Sequence, residues 1–225
     1  MRDRNVGLPG NSEELASFFN TRASSYEQHM QETVEDYDTF YQSVTDALPD
    51  LGAEPRILDL GIGTGLELDC LFERFPDAQV TGIDVSAEML AQLSRKVRPW
   101  IHALTLITGS FLDLDLGTEA YHAIISSMAL HHWIPSVKLD LYGSIHRALL
   151  PKGAFVNGDY IVSEGESSRR LTSFAETGLN DRHNLHIDVP LSFDHELRLL
   201  AEAGFGKVAS PFRRTNVAAF AAFKH

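Results

Sequence analysis

The sequence predicts an α/β sandwich of three layers, built on a seven-stranded, mostly parallel sheet with an antiparallel C-terminal hairpin. Three observations carry this. From residue 56 onward, short apolar runs alternate with segments of helical period. The first run, Arg56-Ile57-Leu58-Asp59-Leu60, ends in glycines at 61, 63 and 65, as a buried strand entering a tight turn does. The last two runs, 207–212 and 215–223, lie too close together for a helical crossover and so pair antiparallel.

Residues 1–12 contain Gly7, Pro9 and Gly10 and read as a flexible N-terminus. Asn11 or Ser12 caps a first helix reaching about His29, with Leu15, Phe18 and Phe19 at helical spacing. A second helix covers 37–48 and stops at Pro49, so two helices occupy 13–50 ahead of the first strand. Strand 56–60 is followed by a helix over 66–75, a strand over 79–84, and a helix over 87–97 capped by Ser86. Strands at 104–108 and 123–127 come next, then a helix over 135–150 opened by Pro135 and followed by Pro151. Strand 153–160, a polar helical segment at 166–177, and a helix over 194–203 stopped by Gly204 lead into the hairpin. A single domain, 13–225, holds all of these. Its stretch 161–189 is longer and more polar than a usual connection and reads as a lid-like insertion.

Composition narrows the function. Hydrophobic residues make up 44% and charged ones 22%, the proportions of a globular protein rather than a disordered or fibrous one. No segment reads as a secretory leader or reaches the roughly 18 apolar residues of a membrane helix, so a cytoplasmic protein without membrane insertion is expected. Lys and Arg number 19 against 31 Asp and Glu, and no basic cluster offsets the net charge of −12, which disfavours a nucleic-acid partner. A lone cysteine, Cys70, excludes a disulfide framework and a Cys-based zinc cluster.

The chemistry is carried by Leu58-Asp59-Leu60-Gly61-Ile62-Gly63-Thr64-Gly65. Strand, glycine turn and helix follow in order, so the backbone is bare where it bends and a ligand can lie against it. The spacing departs from the dinucleotide pattern G-x-G-x-x-G, whose last glycine would fall on Leu66. The second strand ends in Ile83-Asp84-Val85, placing a carboxylate where a ribose diol can be bound.

With these motifs the chain resembles the class I, Rossmann-like S-adenosylmethionine-dependent methyltransferases of the small-molecule kind. The likeness runs from about residue 18 to the C-terminus. It includes Phe18 to Glu27, Leu58 to Gly65, Gly82 to Leu90, Gly109-Ser110-Phe111-Leu112-Asp113, Ile124 to Trp133, and Arg147 to Gly153. The resemblance implies S-adenosylmethionine as cofactor and a small-molecule methyl acceptor as partner. It also implies roles. Asp59 and the backbone at Gly61 and Gly63 hold the methionine part, and Asp84 takes the ribose. Val85 and Met89 pack on the adenine, Ser110 and Phe111 flank its other side, the Ser126 carbonyl meets the amino group, and Tyr26 closes over the cofactor. Three residues depart from the family pattern. Ser110 stands where an Asp is usual, His122 replaces an acid at the start of the fourth strand, and Lys152 replaces a glycine. The last two read as a surface change and an altered turn.

For the acceptor side, His131-His132 lie just past a strand end, and His183 and His186 follow the polar segment. His183 and His186 are the candidates for a catalytic base. No tight H-x-x-x-H pair lies on a helix, so no metal is expected. Two other functions stay open on these residues: a non-catalytic adenosine-ligand-binding protein, and a nicotinamide-dependent oxidoreductase. The second is disfavoured by Leu66, the N-terminal helices and the closing hairpin.

Overall fold

The computed structural model describes residues 13–96, 98–179 and 184–225. Seven strands form one sheet: β1 (Arg56–Leu60), β2 (Gln79–Asp84), β3 (Leu104–Thr108), β4 (Tyr121–Ser127), β5 (Leu149–Tyr160), β6 (Lys207–Arg213) and β7 (Val217–Phe223). They lie in the order β3-β2-β1-β4-β5-β7-β6. The first five are parallel; β7 runs antiparallel to both β5 and β6. The sheet, its parallel body and its closing hairpin are those the sequence predicts.

Side chains alternate across the central strands. Ile57, Ala123, Ile125, Ala154 and Val156 face one apolar core, and Leu58, Ile124 and Phe155 face the other. The first core is roofed by α3 (Tyr37–Asp46), α4 (Leu68–Arg74) and α5 (Ala87–Arg95), the second by α6 (Pro135–Ala148) and α8 (Phe193–Glu202). Period-two burial on both faces is what makes these strands near-continuous apolar runs. Between β5 and α8 lies α7 (Glu164–Glu176), whose first turn is capped by the Ser163 hydroxyl accepting from the Glu166 amide at 3.2 Å.

The N-terminal helix differs from expectation. It divides into α1 (Leu15–Arg22) and α2 (Tyr26–Thr33), joined by one 3-10 turn at Ala23–Ser25, and the expected caps Asn11 and Ser12 fall outside the described residues. Hydroxyls compete with the helix ladder here: Thr21 Oγ1 donates to the Phe18 carbonyl at 3.0 Å and Ser25 Oγ to that of Arg22 at 3.3 Å. His122 is more than a surface change, because its Nδ1 accepts from the Arg56 amide at 3.0 Å and fixes the start of β1. Lys152 sits at φ 65°, the left-handed conformation that favours glycine.

Two helices on one face are joined by a buried charge pair. The Lys138 ammonium on α6 bonds the Glu196 carboxylate on α8, and Tyr142 Oη donates to the other Glu196 oxygen at 2.9 Å. Both charged residues are 1% exposed, so neither can turn to water if its partner is lost. Lys138→Ala is therefore expected to cost about 3–5 kcal/mol in urea unfolding, whereas Lys138→Met with Glu196→Leu recovers most of the loss. Equal destabilisation by the single and double variants would show that packing, not the stranded charge, sets the cost.

Candidate active site

The glycine turn after β1 is built by contacts from β2. Gly61 and Ile62 donate their amides to the Ile83 carbonyl at 2.8 and 3.2 Å, and the Gly63 amide donates to Asp84 Oδ2 at 2.8 Å. The other Asp84 oxygen accepts from the Ser86 amide at 2.8 Å, at the cap of α5. Asp84 is thus a buried turn-fastener as well as a strand-end carboxylate. Burial raises its pKa to about 6 although both backbone bonds pull the other way. Gly61, Gly63 and Gly65 all have positive φ. A Cβ on Gly61 would lie 2.4 Å from that of Ala129, whereas one on Gly63 would meet nothing nearer than 3.8 Å.

A narrow cleft of about 50 Å³ opens over this turn, between the C-terminal ends of the strands where the order reverses. Gly61, Gly63, Asp84, Val85, Met89, Ser110, Phe111 and Tyr26 all border it. Asp59 and Ser126 do not. Asp59 points into the α4 side with no exposed surface, and Ser126 spends its hydroxyl on the Leu60 carbonyl at 2.7 Å. Ser110 has a local task, its hydroxyl accepting from the Leu112 amide at 3.2 Å. Neither Asp59 oxygen meets a hydrogen-bond donor among the described residues, and the Glu67 carboxyl lies beside it. Burial, then Glu67, holds the Asp59 pKa well above the usual carboxylate range. Such a pair is suited to a cationic group.

A second cavity, of about 510 Å³, adjoins the first and shares Phe19, Tyr26, Met128 and His132 with it. Met128, just past β4, holds a left-handed φ of 55°, a strained non-glycine conformation at the junction of the two spaces. Four histidines line this cavity: His29 on α2, His131 and His132 after β4, and His186 from the insertion, with Asp188 beside the last three. His131 Nδ1 lies 2.6 Å from Asp159 Oδ1 on β5. Burial lowers the His131 pKa, but the charge and bond of Asp159 outweigh it and leave it raised. Burial and neighbouring His131 lower that of His132. His186 drops to about 4, through burial and then His132, and Asp188 is held below the carboxylate range by the adjoining His132 and the other imidazoles against the effect of burial. Tyr26, raised by burial and then Asp84, stays a neutral phenol.

Of the two histidines expected to be catalytic, His183 lies outside the described residues. His186 is in the cavity wall, but its low pKa removes it as a base titrating near neutrality. Among the described residues of the insertion, α7 does not border the cavity and the returning stretch with His186 and Asp188 does. That stretch is tied to the N-terminal segment, Leu15 donating to the Asn184 carbonyl at 2.6 Å and His186 to that of Glu13 at 2.9 Å. The two expected covers are therefore one structure. Asp159 was missed by sequence reasoning, although an acid inside the apolar run 153–160 was a readable signal.

A family model described as a methyltransferase domain matches residues 57–153. The carboxy-S-adenosyl-L-methionine synthase of Nautilia profundicola is 24% identical over 187 residues, covering 77% of this chain and 79% of its own length. The malonyl-[acyl-carrier protein] O-methyltransferase of Xylella fastidiosa is 33% identical over 139 residues, 60% of this chain and 44% of that one. Human N-acetylserotonin methyltransferase, solved in complex with SAM, shares the fold with a TM-score of 0.66 at 22% identity, over 94% of this chain and 59% of the human one.

Residues 57–153 are thus a methyltransferase domain, set in the fold of the S-adenosylmethionine-dependent methyltransferases. Its residues fit that cofactor: the bare backbone at Gly63 meets only ordinary contacts at 3.8 Å or more, and both Asp59 oxygens and Glu67 Oε1 lack a donor among the described residues. Among the described residues no helix is long and apolar enough to cross a membrane.

The two glycines that line the methyltransferase cleft are expected to respond differently. Gly61→Ala forces both a left-handed alanine and a clash with Ala129, and should cost about 2–4 kcal/mol in urea unfolding. Gly63→Ala carries only the conformational strain, about 1–2 kcal/mol. Equal losses would contradict the tight seat of Gly61 on Ala129.

Proposed function

We propose that this methyltransferase passes the methyl group of S-adenosylmethionine to a small molecule seated in the larger cavity, beneath the joined cover of α1, α2 and residues 184–189. The observation that carries this reading is the shared wall: one cavity borders the glycine turn, the other is rich in titratable groups, and Phe19, Tyr26, Met128 and His132 belong to both. The names of the relatives differ in their reactions, so the acceptor is argued from this cavity. Its aromatic and histidine lining suits a compact polar molecule with an ionisable group.

The cofactor supplies a methyl group already activated by its sulfonium. Asp84 would accept from the ribose hydroxyls, Val85, Met89 and Phe111 would pack on the adenine, and Ser110 would flank it. The backbone at Gly61 and Gly63 would hold the methionine part, the Asp59 carboxyl would sit behind its amino group, and the Ser126 carbonyl would lie at the β4 end. The chain's main task is then alignment, for which effective molarities reach about 10⁵ M or more. Phe19 and Tyr26 exclude water and hold the acceptor heteroatom in line. The bound cofactor would supply its methyl group to that heteroatom, the carbon–sulfur bond pair staying on sulfur, and the acceptor proton would leave to water through the mouth of the larger cavity. The cleft is smaller than the roughly 300–1,000 Å³ of ordinary ligand sites and is walled by Leu15, Phe19 and Tyr26, so cofactor entry would call for the cover to lift.

Calorimetry should show S-adenosylmethionine and its demethylated product binding and NAD failing to bind, and a metabolite screen for methyl transfer should return a small acceptor. Binding of NAD alone would overturn the reading. Affinity for S-adenosylmethionine should also depend on pH. Below about 6 the Asp84 carboxyl carries a proton and loses acceptor capacity, so affinity rises as pH increases through that value and then levels. Asp84→Ala should weaken binding by about 2–3 kcal/mol and abolish the step. A pH-independent affinity, or a variant within twofold of wild type, would remove Asp84 from the ribose. Amide exchange at residues 13–33 and 184–189 should slow on cofactor binding; protection confined to 58–130 would rule out the cover.

A further inference from the structure

The imidazoles and carboxylate of the larger cavity are arranged as ligands converge rather than as hydrogen-bond partners pair. Asp188 Oδ1 has three imidazole nitrogens around it: His132 Nδ1 at 3.2 Å, His186 Nε2 at 3.6 Å and His131 Nε2 at 3.7 Å. Yet this buried oxygen accepts no hydrogen bond of proper geometry from them. The ligand atoms of His131, His132 and Asp188 all lie within 4.8 Å of one another. Tetrahedral coordination at about 2.0–2.2 Å places neighbouring ligand atoms about 3.3–3.6 Å apart, the spacing seen around this oxygen. Mutual bonding would instead bring a donor to about 2.9 Å.

The surroundings complete the pattern. The other His131 nitrogen, Nδ1, is taken by the Asp159 carboxylate at 2.6 Å. A carboxylate behind an imidazole is how ligating histidines are oriented and made more basic. It leaves Nε2 aimed at Asp188. His131 and His132 are buried, so neither imidazole is a solvated surface group. His132 Nδ1 also lies 3.3 Å from the Ile187 carbonyl, a long contact it would give up. His186 is held at the edge of the group by stacking on Phe18, the ring centroids 3.4 Å apart.

We propose that His131, His132 and Asp188 bind a divalent transition-metal ion of the zinc type, with the fourth position turned to the acceptor cavity beside His186. Two imidazoles and a carboxylate are the ligand set of an open, catalytic zinc site, and imidazole selects zinc-like ions over magnesium or calcium. No tight sequence motif announces it, because the ligands come from the β4 loop and the end of the insertion, 56 residues apart (188 − 132). The inference deepens the proposed function by naming an acceptor class: a molecule whose thiol or hydroxyl enters the open position. Coordination there lowers the acceptor's pKa, and its proton leaves to water through the cavity mouth.

The test uses untagged full-length protein, stripped with a chelator and titrated with Co²⁺ and Zn²⁺. One Co²⁺ per chain is expected, with the intense visible absorption of a tetrahedral N/O site, displaced by one equivalent of Zn²⁺. Asp188→Asn should weaken Co²⁺ binding by at least about 100-fold, and Asp159→Asn by about 10–100-fold, each with an unchanged circular dichroism spectrum. Failure of the wild-type chain to take up stoichiometric Co²⁺ at micromolar concentration overturns the site, as does wild-type affinity in a folded Asp188→Asn. Calorimetry with S-adenosylmethionine on the same samples reads the methyltransferase assignment separately. Cofactor binding without metal binding sinks the ion alone, and metal binding without cofactor binding sinks the proposed function alone.

Discussion

The Asp84 carboxylate fastens two loops at once, and the cleft depends on it. One oxygen takes the Gly63 amide and the other the Ser86 amide, each at 2.8 Å. The turn after β1 and the start of α5 are thereby locked to the end of β2, at the point where the sheet order reverses. A buried backbone amide without a partner costs about 1–3 kcal/mol, so a turn with three left-handed glycines needs such an acceptor. The same need explains Gly82, whose missing Cβ leaves room for Ile62 beneath the turn. The left-handed glycines, a bare Gly82 and a strand-end acid are one mechanical unit before they are a binding site.

The cover is organised around the same place. Asn20 of α1 accepts from Ser86 Oγ at 2.8 Å and from the Glu88 amide at 3.3 Å, and Lys96 pairs with Glu27 at 2.8 Å. α1 is thus hooked to the first turn of α5, next to Asp84, and α2 to its C-terminal end. Their other edge is joined to residues 184–189 by backbone bonds, and Val189 donates to the His131 carbonyl at 2.8 Å. A chain of contacts runs from the glycine turn through the cover to the histidine cluster.

The histidine cluster concentrates buried polar groups whose partners are incomplete, and such groups are costly unless something satisfies them. Asp159 and Asp188 bring two carboxylates to the imidazoles of His131, His132 and His186, of which His131 has a raised pKa and the other two lowered ones. Met128, strained at the junction, keeps its backbone in place through its amide bond to the Gly158 carbonyl at 2.8 Å. Strain and unsatisfied polarity therefore occur together at the wall shared by the two cavities, as they do at sites that evolved to hold a ligand.

Local chemistry alone determined the sheet, the hairpin and the glycine turn after β1. Strand runs such as Arg56–Leu60 and Gln79–Asp84 are apolar because both faces are buried, and the glycine spacing after β1 reflects left-handed backbone conformations that glycine adopts without strain. The cap at Ser86 was legible for the same reason: its hydroxyl serves an amide three residues away. Contacts between distant segments were not legible. Sequence gave no sign that Asp84 would fasten Gly63, that α7 would stay out of the cavity, or that His132 and Asp188 would meet at 3.2 Å. It also could not lower His186 to about 4, since that shift comes from burial and from His132, a neighbour 54 residues away (186 − 132). Backbone turns and strand periods are encoded within a few residues, whereas electrostatics and ligand geometry are set by which side chains the fold brings within a few ångströms of each other.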